Sequence, residues 1–176
     1  IKDYIQTVVA RYAGKVASWD VVNEAFEDEG GVLRQSLFQR RIGDDYLAKC
    51  FQWAREADPD VLLFYNDYGL IWNESKCEAV LEMLDDFDER NIPIDGIGLQ
   101  MHISTDYPKN STIEKAVDLF VERGLKIHFS EIDIRVNPNG NAEKFTQDLA
   151  EEQFWKTKAI TKIYNSIPSD KQAGMT

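Results

Sequence analysis

The sequence predicts an α/β fold, and within that class a portion of a (β/α)8 TIM barrel with parallel strands and outer helices, spanning residues 1–176. Three observations carry the prediction. Apolar strand-like runs alternate with helical patterns four times over, at spacings of roughly 30 to 45 residues, which argues a parallel sheet with crossover helices. No GxGxxG opens a helix after the first strand, so a doubly wound dinucleotide-binding sheet lacks its fingerprint. Polar side chains gather at the C-terminal end of every strand: Asn23 and Glu24, Asn66 and Asp67, Gln100 and His102, Glu131 and Asp133. In a barrel, that is the end where sites form.

The elements follow in order. IKDYIQTVVARYAG is a helix that stops near Gly14, and KVASWDVVNE is the first strand. The polar loop EDEGGVLRQSLFQRRIG leads to the helix DDYLAKCFQWAREADP, which Pro59 ends because proline has no amide hydrogen to offer a further turn. VLLFYND is the second strand and ESKCEAVLEMLDDFDERN the helix behind it. IDGIGLQMHI is the third strand, followed by a short loop and the helix TIEKAVDLFVERG. LKIHFSEIDIRV is the fourth, then AEKFTQDLAEEQFWKTKAITKIYNSI, and QAGMT starts a fifth. The chain begins without Met, already in a helical pattern, and so reads as a segment of something longer; the lack of a leader then carries no information on secretion.

Composition narrows the classes. A hydrophobic fraction of 43% and an aromatic fraction of 11% fit a folded globular chain. A net charge of −11 disfavours nucleic acid and anionic membranes, which reward basic patches, and is compatible with a neutral substrate or with plain solubility. No run approaches the roughly 18 apolar residues that would insert in a membrane. Cys50 and Cys77 have neither CxxC nor metal-ligand spacing and are read as small buried residues of helices, not as a disulfide.

Strand alternation assigns faces. In GIGLQMHI, Gly96, Gly98, Gln100 and His102 share one face, small at the bottom and polar at the top, while Ile97, Leu99, Met101 and Ile103 form an apolar face for the outer helices. In the next strand Phe129, Glu131 and Asp133 are expected to share the inward face, leaving His128 on the other as an ordinary structural histidine. Two inward carboxylates repel unless something lies between them. His102, at a similar height, can give one ring nitrogen to Asp133 and the other to Glu131.

Glu24 raises the same question, since burying an unpaired carboxylate costs several kcal/mol. Two glutamates at the ends of two inner strands suit glycoside hydrolysis, in which one carboxyl protonates the departing oxygen and the other attacks the anomeric carbon or activates a water. Paired glutamates also bind metals, but a metal site would recruit more His and Asp at ligand spacing, and the chain has two His. No metal and no cofactor is expected.

WDVVNEAFED, FYNDYG, PIDGIGLQMHIS and SEIDI, in this order, closely resemble glycoside hydrolase family 10, the retaining endo-β-1,4-xylanases, and IGDDYLAKCFQWAREADP is similar as well. The resemblance implies Glu24 as acid/base, Glu131 as nucleophile, and His102 and Asp133 as the pair supporting the nucleophile. It implies Asn23 as the amide that bonds the sugar 2-hydroxyl, and Asn66, Asp67, Tyr68 and Gln100 as lining for the cleft, with Tyr68 stacking on a sugar of the leaving-group side. Trp19 is read as core packing and Asp20 as a buried, hydrogen-bonded support. The implied substrate is xylan or xylo-oligosaccharide, and a polymer substrate implies a secreted or periplasmic enzyme.

Against the family's pattern the chain holds the fourth to seventh strands and the first residues of the eighth. The Lys, His and Trp residues that the resemblance places on other strands have no counterpart here, and Trp53, Trp72 and Trp155 are expected to pack instead of binding sugar. The alternative to catalysis is a non-catalytic xylan-binding or assembly fragment, completed by the rest of a barrel or by a second copy of the chain. A glucan- or mannan-cleaving relative on the same barrel ranks third, because the NEAF and QMH contexts are closer to xylanases.

Overall fold

In the computed structural model, which describes residues 1–176, five parallel strands pair in chain order. They are β1 (Ser18–Asn23), β2 (Leu62–Asp67), β3 (Gly96–Ser104), β4 (Lys126–Arg135) and β5 (Gln172–Met175). Helix α1 (Lys2–Arg11) precedes β1, and α2 (Leu37–Ile42) with α3 (Tyr46–Ala57) connects β1 to β2. The remaining crossovers are α4 (Glu74–Glu89), α5 (Asn110–Glu122) and α6 (Gln147–Ser166). This is the predicted portion of a barrel wall, strands inside and helices outside.

The outer face of the sheet makes the core. Leu63 and Tyr65 of β2, Ile97, Leu99 and Met101 of β3, and Ile127 and Phe129 of β4 are at most 1% exposed. Phe51, Val80, Phe87, Ile113, Phe120 and Ile160 meet them from α3 to α6. Each such side chain contributes about 1.5–3 kcal/mol on burial, so this layer holds the helices on the sheet. Cys50 and Cys77 are buried here as free thiols.

The inner face is built differently. Phe64 and Asn66 lie across Gly96 and Gly98 of the next strand, and a Cβ on either glycine would overlap the Phe64 ring or the Asn66 amide. Glycine at these two positions is what lets the neighbouring inward side chains lie flat. Helix starts are capped from sequence-legible residues: Ser36 Oγ accepts from Gln39 N at 3.1 Å, Asn73 Oδ1 from Lys76 N at 3.2 Å and Thr146 Oγ1 from Leu149 N at 3.3 Å.

Several expectations need correcting. The polar loop after β1 contains the short helix α2, started by the Ser36 cap. Helix α6 begins at Gln147, not among residues 142–146. Phe129 does not share the inward face with Glu131; it is fully buried against Tyr164 of α6, ring centroids 5.2 Å apart. His128 is the inward residue, edge-on to Phe64 at 6.4 Å. Trp19 packs beside Tyr12 on the helix side as expected. Asp20 is exposed and its carboxylate makes no hydrogen bond, so it is not a buried support in this chain. Trp155 is 59% exposed beside Phe154 and not packed in the core.

Candidate active site

The two inward glutamates share one backbone conformation. Glu24 has φ 53° and Glu131 φ 52°, left-handed conformations that cost a non-glycine residue on the order of 1–3 kcal/mol. In β4 the turn makes Ser130 and Glu131 consecutive inward residues, and the pairing with β3 slips between Gln100 and His102. Regular alternation would have placed one of the two among the helices. The kink is therefore what delivers Glu131 to the cleft.

An amide web spans the two carboxyls. Gln100 Nε2 donates to Glu24 Oε1 at 3.1 Å and to Asn23 Oδ1 at 3.2 Å. Asn66 Nδ2 donates to the same Asn23 oxygen and to Glu131 Oε1, both at 2.8 Å. Ser130 Oγ donates to Asn66 Oδ1 at 2.6 Å and fixes which way that amide points. Gln100 and Asn66 are buried, and Gln100 Oε1 is left without a partner.

Glu131 has a second partner. His102 Nε2 lies 3.2 Å from Glu131 Oε2, and Nδ1 lies 2.6 Å from Asp133 Oδ2. This is the arrangement the strand faces predict. Burial pulls the imidazole pKa down, but the bonds and charges of Asp133 and Glu131 outweigh it, and the net direction is up from 6.5. A doubly protonated ring can donate to both carboxylates at once.

Two expected cleft residues are engaged by other side chains. Asp67 is fully buried and faces the helices, where it accepts from Tyr65 Oη at 2.5 Å and Lys76 Nζ at 3.3 Å. Its register partner on β3 is Leu99, which is also on the outer face. Tyr68 is half-buried; Arg34 Nη2 donates to its hydroxyl at 2.7 Å, and Lys76 Nζ stands 3.6 Å from its ring centroid, so one face of the ring is already occupied.

Ser130, Tyr65 and Lys76 were not singled out by sequence reasoning. Lys76 carries a legible signal: it shares a helix face with Val80, Met83, Leu84 and Phe87, all buried, and a lysine on an apolar face requires a partner. Trp72 and Tyr107, with centroids 6.1 Å apart, line a cavity of about 420 Å3 that opens beside His102 and Asp133. Trp72 thus lines a cavity beside the His102–Asp133 pair as well as packing on the core.

The model of Glycosyl hydrolase family 10 matches residues 1–174. Endo-1,4-beta-xylanase A of Caldicellulosiruptor sp. (strain Rt8B.4) is 44% identical over 163 residues, covering 91% of this chain and 24% of that protein. An endo-1,4-beta-xylanase of Geobacillus stearothermophilus is 43% identical over 169 residues, covering 93% of this chain and 51% of its own length. The solved native xylanase10C of Cellvibrio japonicus superposes with a TM-score of 0.94 at 34% identity, over 99% of this chain and 39% of that one. A mutant of the same xylanase, solved with xylopentaose, also gives 0.94. The chain thus spans about a quarter to about half of the length of these relatives.

Proposed function

Because the chain belongs to glycosyl hydrolase family 10, we propose that it carries the catalytic pair of an endo-β-1,4-xylanase that cuts internal bonds of xylan by double displacement, with retention. One observation supports the assignment of roles: the two carboxyls at the strand exits have unlike partners. Glu131 faces an imidazole that becomes cationic on protonation, whereas Glu24 meets a neutral amide, Gln100. A nucleophile must be an anion and a general acid must carry a proton, so Glu131 is the nucleophile and Glu24 the acid/base.

In the first step a Glu131 oxygen attacks the anomeric carbon while Glu24 gives its proton to the glycosidic oxygen; the C–O bond breaks and a glycosyl ester forms. In the second, Glu24 as carboxylate takes a proton from a water that attacks the same carbon, and the ester bond breaks, returning the Glu131 carboxylate. Asn23 Oδ1 is already accepting from Asn66 and Gln100, which leaves its Nδ2 hydrogens for the sugar 2-hydroxyl. His102 and Asp133 hold Glu131 in its attacking orientation. Tyr68 is assigned to a sugar on the leaving-group side.

A polymer of this size acts as substrate outside the cytoplasm, so secretion or periplasmic residence belongs to the same proposal. A second reading, a xylan-binding fragment completed by further strands or a second copy, is favoured by one observation: the Glu131 side chain is 46% exposed on an open sheet. Hydrolysis of an aryl β-xylobioside decides between them, with Glu131→Ala as control. Turnover by the chain that the substitution abolishes, alone or with the other strands of a relative's barrel supplied, supports the enzyme. No turnover in either setting, with retained binding of xylohexaose, overturns it in favour of the binding fragment.

A further inference from the structure

Glu24 is strained at φ 53°, and the two amides around it are both held. Glu24 N donates to Asn66 O at 2.9 Å, and Ala25 N donates to Tyr65 Oη at 2.9 Å. A phenol has one proton, and Tyr65 gives it to Asp67 Oδ2 at 2.5 Å, so that its lone pairs face Ala25. Asp67 Oδ1 accepts from Lys76 Nζ at 3.3 Å, and the same ammonium pairs with Asp28 Oδ1 at 2.8 Å, on the loop that leaves Glu24. Tyr65 and the Asp67 and Lys76 side chains are 0% exposed. The chain of contacts closes a ring: strand exit, phenol, carboxylate, ammonium, and back to the loop at Asp28.

A buried ion pair is seldom the most stable filling for such a space, since apolar residues of similar volume do as well or better. Burial raises the Tyr65 pKa well above 10, which keeps the phenol a neutral donor. We propose that Tyr65, Asp67 and Lys76 form a positioning relay for Glu24, fixing its main chain so that the carboxyl meets the glycosidic oxygen; this rests on the acid/base reading of Glu24. None of the three touches substrate, and the relay acts through the Ala25 amide and the Asp28 carboxylate.

The test separates positioning from mere packing. Proton donation matters for a leaving group that departs poorly as an anion and little for one that departs well. In Tyr65→Phe, kcat/KM on phenyl β-xylobioside is expected to fall by about 10-fold or more, while that on the 2,4-dinitrophenyl analogue stays within about twofold. Asp67→Asn, whose oxygen the ammonium takes and whose nitrogen then faces the tyrosine hydroxyl, gives the same selective loss. A second readout needs no catalysis: the Ala25 amide exchanges with deuterium about 10-fold faster or more in Tyr65→Phe, with the Leu99 amide unchanged. Equal losses on both substrates, or an unchanged Ala25 amide, overturn the relay. If the unsubstituted protein turns over neither substrate even with the other strands of a relative's barrel supplied, the enzyme reading fails, and the Ala25 exchange still decides the geometry proposed for Tyr65.

Discussion

Asn66 and Glu131 are joined by a 2.8 Å hydrogen bond from Nδ2 to Oε1, across two strands of the sheet. The other hydrogen of that nitrogen goes to Asn23, beside Glu24, and the Asn66 oxygen is satisfied by Ser130. One buried amide therefore sets the relative position of the two strand ends that carry the carboxyls. Asn66→Ala removes a bond to a charged group, worth about 1.5–3 kcal/mol, and should lower kcat/KM on xylo-oligosaccharides by roughly 10- to 150-fold with the fold retained. Steady-state kinetics beside a circular-dichroism melt checks this. An unchanged kcat/KM would mean the web is ornamental to the chemistry.

Gly98→Ala tests the same amide from the other side. A Cβ at Gly98 would run into the Asn66 side chain, which cannot swing away without giving up Ser130 and Glu131. Overpacking of this kind costs about 1–3 kcal/mol. The expected outcome is a lower urea midpoint with unchanged slope, and activity reduced alongside. Gly14→Ala is the contrast: its φ is +70° with no atom within 4 Å, so any loss there comes from backbone strain and leaves activity per folded molecule intact.

Much of this was readable in advance because periodicity governs strands and helices that pack regularly. The alternation in GIGLQMHI places every residue correctly, since a β-strand with glycines and aliphatics has one way to lie between helices and cleft. His102 between Glu131 and Asp133 followed from the strand faces together with the repulsion of two inward carboxylates. The reading failed where the backbone leaves its period. At Glu131 a positive φ puts Ser130 and Glu131 on one face, so counting back in twos from Glu131 put Phe129 inside and His128 outside. Asp67 failed for another reason: as the last residue of β2 it is on the outer face, and the buried Lys76 of α4, with the Tyr65 hydroxyl, makes a carboxylate tolerable there. That pairing spans two elements: α4 shows a buried ammonium in need of a partner, and nothing in β2 alone says that Asp67 is it.

His102 gives the pH dependence a sign. Its pKa is raised in the fold, so the stability it contributes is fully present below its ordinary value of 6.5 and is lost as pH rises through the higher folded value. The Tm difference between the protein and His102→Gln should be largest below about pH 6.5 and should shrink toward alkaline pH. Calorimetric melts across that range decide it. A difference that grows with pH would mean that the imidazole is bound neutral.

Association follows from the sheet's edges. β1 pairs with β2 and β5 pairs with β4, so each has one edge without a strand, and parallel edges of this kind are templates for another chain. The inner face adds exposed polar groups, Asp20 and Glu131 among them, which disfavour collapse of the sheet on itself. On the outside Phe145, Phe154 and Trp155 are 57–63% exposed, and the net charge of −11 opposes close approach only at low salt. The 176-residue chain should therefore be multimeric at micromolar concentration, or else melt broadly at low denaturant, and association should strengthen as salt screens the charge. Sedimentation velocity at two ionic strengths, with a urea melt, is the measurement. A monodisperse monomer with a sharp, cooperative transition would show that half a barrel wall closes its own edges, and the case for a completing partner would fall with it.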